Sequence, residues 1–138
     1  MAKEASFGII PLRRGDLGWE VCVVKHCSGH WSFPKGHSEK KESPLQTATR
    51  ELKEETNLDV IKLLSEEILE EKYVYRYKGE IRDKTVTYFL AEVSGELKIL
   101  PKEIHEAKWL LVDEAVTQVT FPQARAICKS LLEKISKS

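Results

Sequence analysis

The sequence predicts a single α/β domain of the α+β kind, in which a mixed β-sheet packs against helices. Short apolar runs of strand character recur along both halves of the chain. One central segment carries both a helix-start and a helix-stop signal, and a C-terminal segment repeats its apolar residues at helical period. With 138 residues, 41% hydrophobic and 32% charged, the chain can bury a proper core and has the composition of a globular protein. Residues 1–138 are therefore read as one domain, without repeat, linker or low-complexity stretch.

The first two runs, "ASFGIIPLRR" and "WEVCVVKH", flank the turn "RGDLG" and read as a hairpin. Pro11 has no N–H to give a ladder, so an edge or a bulge is expected there. "CSGH" is a turn, and "WSFPKGH" a short extended stretch entering a loop. The helix is expected over residues 44–56. Ser43 is its N-cap, Pro44 fits the first helical position and Gln46 completes a capping box. Leu45, Ala48 and Leu52 form its apolar stripe, and Asn57 suits a left-handed stop. "LDVIKLL" follows. "EKYVYRYKGE" and "KTVTYFLAEV" then read as a second hairpin turning around Lys78 to Lys84, and "AKWLLV" as a further strand. "DEAVTQV" makes a short helix. Phe121 to Ile135 makes a longer one, striped by Ala124, Ile127, Cys128, Leu131 and Ile135.

Lys+Arg and Asp+Glu number 22 each, so the net charge is zero. General nucleic-acid binding by a basic field is excluded, and a polyanionic ligand must be met locally. The three cysteines, Cys22, Cys27 and Cys128, occur without a signal-peptide pattern and point to reduced thiols and a cytoplasmic setting. No apolar run reaches the roughly 18 residues of a membrane span, so no membrane partner is expected. Cys22, His26, Cys27 and His30 lie close in sequence, but their spacing matches no common zinc pattern and they begin in a strand.

Chemistry concentrates in "RELKEETN", residues 50–57. Glu51, Glu54 and Glu55 stand at i, i+3 and i+4, on one flank of the expected helix. Charged helix faces are commonly just solvated. These acids, however, lie beside the apolar stripe rather than opposite it, and Lys53 points away from them. The preceding "FPKGH" can bring a backbone carbonyl and Lys35 close. Carboxylates that repel one another are tolerable around a hard divalent cation such as Mg²⁺, which takes oxygen ligands and shares them with substrate phosphates.

"GHSEKKESPLQTATRELKEETNL", residues 36–58, resembles the Nudix box. That motif is a glycine, five residues, a glutamate, seven residues, then Arg-Glu-aliphatic-x-Glu-Glu-x-Gly-aliphatic. Gly36, Glu42, Arg50, Glu51, Leu52, Glu54, Glu55 and Leu58 match it, and Asn57 replaces the last glycine. The resemblance implies the Nudix fold, a mixed curled sheet sandwiched between helices. It also implies metal-assisted attack of water on the phosphorus of a nucleoside diphosphate linked to another group, using Mg²⁺ or Mn²⁺. Glu54 and Glu55 would be the principal metal ligands, helped by the Gly36 carbonyl. Glu51 would be a further ligand or a base acting on the attacking water, Arg50 would orient the glutamates, and Glu42 would brace the loop.

"HWSFPKGH", "KTVTYFLAEV" and "EIHEAKWLLVDEA" followed by Phe121 are similar to one branch of that family, the asymmetric diadenosine tetraphosphate hydrolases. The implied reaction yields ATP and AMP. Lys84, Lys35 and His37 would meet phosphates. Tyr77 and Phe121 would stack on a base, and Glu103, rather than Glu106, would add one more acid to the metal cluster. Hydrolysis of RNA 5′ ends or of diphosphoinositol polyphosphates is the enzymatic alternative. A nucleotide sensor without catalysis would be expected to have lost box carboxylates, which are all present here. A monomer with a small nucleotide substrate is expected.

Overall fold

The computed structural model describes residues 2–136. Strands β1 (Ala2–Gly15) and β2 (Gly18–His26) form the expected hairpin, with Gly15 facing Gly18. Successive side chains of a strand point to opposite faces. Ile9, Cys22 and Val24 accordingly enter one core, and Ile10, Leu12, Val21 and Val23 another. Two cores need two covers. Helix α1 (Pro44–Thr56) supplies the first through Ala48 and Leu52. Helices α2 (Val112–Gln118) and α3 (Pro122–Ser136) supply the second through Val112, Ala115, Ala124, Ile127, Cys128 and Leu131.

The remaining strands are β3 (Trp31–Ser32), β4 (Lys35–Gly36), β5 (Asp59–Tyr77), β6 (Glu80–Ser94) and β7 (Ile104–Leu111). The sheet runs β3-β2-β1-β6-β5, with β4 against β1 and β7 against β2. Strands β1 and β6 are parallel, Ala2–Leu12 beside Arg82–Glu92, and the other pairs are antiparallel. This mixed sheet, curled and not closed, lies between α1 and the α2–α3 pair.

Helix α1 begins and ends on its own side chains. The Gln46 N–H donates to Ser43 Oγ at 3.2 Å and the Ser43 N–H to Gln46 Oε1 at 2.8 Å, completing the capping box. Asn57 stops it in the left-handed region, with φ 69°, and its N–H reaches the Lys53 carbonyl. The Asn57 side chain also donates to the Glu96 carbonyl at 3.0 Å, tying the helix end to the chain beyond β6.

Three expectations need correction. "LDVIKLL" and the following run form one 19-residue strand, β5, whose register against β6 shifts between Leu63 and Ile68. The charged residues between them sit on the open edge, where the irregularity absorbs them. The second hairpin turns on Lys78 and Gly79 alone, with φ of 51° and 78°, rather than over Lys78 to Lys84. Positive φ at both central residues is what a two-residue loop requires. Pro11 lies buried in an interior strand opposite Ala91. Its nitrogen faces the same side as that of Ile9, which donates to the Pro34 carbonyl at 3.3 Å. This is the gap between the β4 pairing at Phe7–Gly8 and the β2 ladder that begins at Leu12, so no partner is deprived of a donor.

Asn57 gives a test of this helix stop. Asn57→Gly should cost about 1 kcal/mol or less, the scale of its side-chain hydrogen bond, and leave activity intact. Asn57→Val should cost about 1–3 kcal/mol, because a β-branched residue resists positive φ. Urea unfolding of the two variants measures both, and a valine variant as stable as the glycine variant would contradict the cap.

Candidate active site

Two glycines let the elements of the site approach. A Cβ at Gly8 would collide with the Pro34 carbonyl and with Lys35 Cβ and Tyr88 Cε1, both 2.9 Å away. A Cβ at Gly36 would land on the Glu51 carboxylate. Strand β4 can therefore lie flat on β1, and α1 can press its acidic flank against the β4 backbone.

Arg50 organises that flank. Its Nε and Nη2 donate to both oxygens of Glu42, at 2.6 and 3.0 Å. Nη2 also donates to the His37 carbonyl at 2.9 Å, and Nη1 to Glu51 Oε1 at 3.0 Å and Glu54 Oε2 at 3.1 Å. Glu42 further accepts from the Glu39 N–H and the Thr47 hydroxyl. The Arg50 guanidinium, with help from the Glu39 N–H, holds the Glu42 carboxyl down at about 2.

Glu51, Glu55 and Glu103 each place a carboxylate oxygen within 4.8 Å of the others. Glu55 is only 2% exposed, and its Oε1 has no hydrogen-bond partner. Burial raises its pKa, and the Glu51 and Glu103 carboxylates raise it further. Facing the acids are Lys35 and Lys84. Burial is the main cause depressing both lysines, Lys84 to about 8 at 8% exposure. The parallel ladder sets Glu4 beside Lys84, with Glu4 Oε2 4.0 Å from its Nζ. Ser6, Lys35, Gly36, His37, Arg50, Glu51, Lys84 and Glu103 share one cavity of about 310 Å³. A larger hollow of about 620 Å³ on the outer flank of α1, lined by Leu45, Thr49 and Lys53 among others, contains neither the acidic trio nor the lysine pair.

The structure thus gathers Glu51, Glu55, Glu103, Arg50, Gly36, His37, Lys35 and Lys84. Glu54 is turned toward Arg50, outside the trio. His37 is exposed, with Nδ1 3.1 Å from the Ala5 carbonyl oxygen. Glu106 lies on β7 in register with Lys25, whereas Glu103 sits in the turn before that strand. Tyr77 is 48% exposed at the tip of the β5–β6 hairpin, beneath Arg82 and Lys78 at 5.0 and 5.4 Å from its ring centre. Phe121, 45% exposed, packs on His30 at 5.2 Å, which in turn stacks on His26 at 4.6 Å. Burial, then the Lys35 charge, lowers these imidazoles to about 4 and about 3, so both are neutral at pH 7.

Sequence reasoning missed Glu4, Glu71 and Tyr88. Glu71 is buried on β5 with Oε1 unpartnered, and burial raises its pKa. It stands within a run of acids, so its inward turn carried no signal.

A profile described as the NUDIX domain matches residues 2–130. The chain belongs to the Nudix hydrolase family. It is 40% identical over 99 residues to the asymmetrical bis(5′-nucleosyl)-tetraphosphatase of Rattus norvegicus, spanning 70% of this chain and 66% of that protein. The protein of the same name from Caenorhabditis elegans is 33% identical over 137 residues, covering 99% of this chain and 95% of its own. A solved C. elegans Ap4A hydrolase binary complex superimposes with a TM-score of 0.76 at 22% identity, over 97% of this chain and 98% of that one, a likeness of fold. Among the described residues no helix is long and apolar enough to cross a membrane.

Nudix hydrolases use divalent metals, and the residues present fit one. The donors are hard oxygens, an orphaned buried carboxylate oxygen lies among them, and the Gly36 backbone is open to Glu51.

Two outcomes follow from this geometry. Glu42, depressed from an ordinary 4.5 to about 2, contributes stability that is complete above pH 4.5 and is lost as pH falls through about 2. Glu42→Gln should therefore be less stable than the parent near neutrality and converge with it toward pH 2; parallel stability curves would contradict the brace. Glu55→Gln should raise the metal-free Tm by about 2–5 °C by removing a carboxyl whose ionisation burial and its acidic neighbours oppose, and should lose most of the Tm rise that Mg²⁺ gives the parent. Thermal melts with and without Mg²⁺ measure both effects.

Proposed function

We propose that this Nudix domain hydrolyses dinucleoside polyphosphates, with diadenosine tetraphosphate giving ATP and AMP, in the presence of Mg²⁺ or Mn²⁺. The observation that carries this reading is the cavity in which Glu51 and Glu103 face Lys35 and Lys84. It joins a place for a divalent cation to one for a polyphosphate, inside a chain without net charge. The names of the rat and worm relatives support the substrate class.

Glu51, Glu55 and Glu103 would hold the cation, with Glu54 and the Gly36 carbonyl completing the set. When bound, the cation polarises a phosphoryl oxygen and eases ionisation of water. Lys35 and Lys84 bind phosphate oxygens, and His37 approaches from the rim. A glutamate, with Glu51 held in place by Arg50, accepts the proton of the attacking water. A new P–O bond forms and the bridging P–O bond breaks, leaving its electron pair on the departing phosphate. Tyr77 and Phe121 stack on the base. The Tyr77 rung lies four residues, about 13 Å, along the β5–β6 ladder from the Tyr73–Lys84 rung, which suits an extended substrate.

An RNA 5′ end is the second reading. The decapping enzyme subunit 2 of Arabidopsis thaliana is 38% identical over 104 residues, although these cover only 26% of that protein. Incubation with Mg²⁺ in ¹⁸O-labelled water decides between them. The panel is diadenosine tri-, tetra- and pentaphosphate, triphosphorylated RNA and a diphosphoinositol polyphosphate. ATP and AMP from the tetraphosphate, with turnover well above the other substrates, is the expected result. Preference for RNA would overturn the reading.

Tyr77→Ala should chiefly raise KM, by about 5- to 150-fold, because base stacking contributes about 1–3 kcal/mol and holds ground and transition states alike. Lys84→Met should lower kcat as well and remove a basic limb near pH 8 from the kcat/KM profile, since Lys84 loses its charge there. Saturation curves across pH for the two variants measure this. An unchanged KM with lowered stability in Tyr77→Ala would make Tyr77 a packing residue.

A further inference from the structure

Glu103 reaches the carboxylate trio from an exposed turn, not from a helix or strand. Within that turn, the Glu103 and Ile104 N–H groups both donate to the Leu100 carbonyl, at 3.3 and 3.1 Å, which closes the loop on itself but does not aim it. Ile104, the first residue of β7, pairs with His26 and is fully buried, which anchors the end of the turn; the residues just before it, Lys102 and Glu103, are tied to the sheet by Cys27. The Cys27 N–H donates to the Glu103 carbonyl at 3.1 Å, and the Cys27 thiol donates to the Lys102 carbonyl, also at 3.1 Å. Cys27 directly follows the point where the β2–β7 register shifts, between Lys25 and His26. The ladder is irregular at the step that leads into the turn, and beyond the His26–Ile104 pair the two Cys27 bonds hold the consecutive carbonyls of Lys102 and Glu103.

We propose that Cys27 is a positioning residue for the cation site, holding residues 102 and 103 of the turn so that the Glu103 carboxylate joins Glu51 and Glu55. The proposal rests on Glu103 being a cation ligand. Cys27 is exposed, whereas Cys22 and Cys128 are fully buried, so a thiol reagent added to the folded protein selects Cys27. Coupling between two sites is reciprocal. If the thiol bond helps to hold Glu103 for the cation, the bound cation must help to hold the thiol against Lys102. Alkylation would remove the donor, put bulk between the strand end and the turn, and release Glu103.

The experiment compares the parent, Cys27→Ala, Cys27→Ser and Glu103→Gln, each first checked for an unchanged melting profile without metal. Mn²⁺ affinity is titrated by electron paramagnetic resonance, and the rate of Cys27 alkylation by N-ethylmaleimide is followed with and without Mn²⁺. Cys27→Ala should weaken Mn²⁺ binding about 2- to 10-fold, the scale of one hydrogen bond, and Cys27→Ser, which keeps a donor, should recover most of it. Saturating Mn²⁺ should slow alkylation of the parent, and this protection should vanish in Glu103→Gln. Parent-like Mn²⁺ affinity in Cys27→Ala, or alkylation indifferent to Mn²⁺, overturns the role of Cys27 while Glu103→Gln still binds weakly. Unchanged Mn²⁺ affinity in Glu103→Gln instead removes Glu103 from the cation site, and the proposal with it.

Discussion

Three carboxyl groups held within 4.8 Å of one another, two of them buried, are the constraint on which the rest of this molecule depends. Like charges at that distance repel, and a buried carboxylate without a partner is costly. Arg50 relieves part of the repulsion. It binds Glu51 and Glu54 while Glu42 and the His37 carbonyl hold the guanidinium itself in place. A lysine at position 50 could not do this, because its three ammonium donors cannot supply the five hydrogen bonds that the planar guanidinium makes. The box therefore reads as one electrostatic unit. Its first half, the loop from Gly36 to Glu42, exists largely to fix the arginine that steadies its second half.

The sheet provides the opposite charge. Parallel pairing of β1 with β6 brings Glu4 to Lys84, while antiparallel pairing of β4 with β1 brings Lys35 over Gly8. Neither lysine is well solvated, and burial weakens the hold of each on its proton. Glu4 is itself committed to Arg82 and the Tyr75 hydroxyl, so it is a distant counter-ion for Lys84 rather than a close partner. A polyphosphate would supply what both sides lack, negative charge for the lysines and shared oxygens for a cation among the acids. A protein with no net charge can meet such a ligand because the opposing charges are sorted across one cavity.

Local signals in the sequence identified most of the fold and half of the site. The limits of α1 were legible because Ser43, Pro44, Gln46 and Asn57 act on backbone within a turn of themselves. Gly36, Arg50 and the box glutamates were legible because their spacing is short and fixed. The two-residue turn at Lys78–Gly79 was not, since a lysine gives no sign that it will take positive φ. Pro11 misled because its tolerance depends on where β4 ends and the β2 ladder begins, which is a property of three strands together. Glu4, Glu71 and Tyr88 failed to stand out for the same reason. Each becomes part of the charged interior only through pairing with residues far away in the chain, such as Glu4 with Lys84 across 80 positions.

That division has a physical consequence for which parts of the site can vary independently. Lys84 lies on β6 and touches neither Arg50 nor its partners, so a change there should leave the arginine network undisturbed, whereas Lys35 shares β4 with Gly36 and moves with the Glu51 side of the box. Phe121 is fixed differently again. The Thr120 N–H donates to the Trp31 carbonyl and the Trp31 N–H to Thr120 Oγ1, so β3 sets the start of α3 and the His30 stack beneath the ring. Tyr77, at the far hairpin tip, depends only on β5 and β6. The acids of α1, Lys84 on β6 and the two aromatic rings thus rest on separate supports. A fold built this way can keep its hydrolytic centre while the ends of its substrate change, because the contacts that would read those ends are not the contacts that hold the carboxylates together.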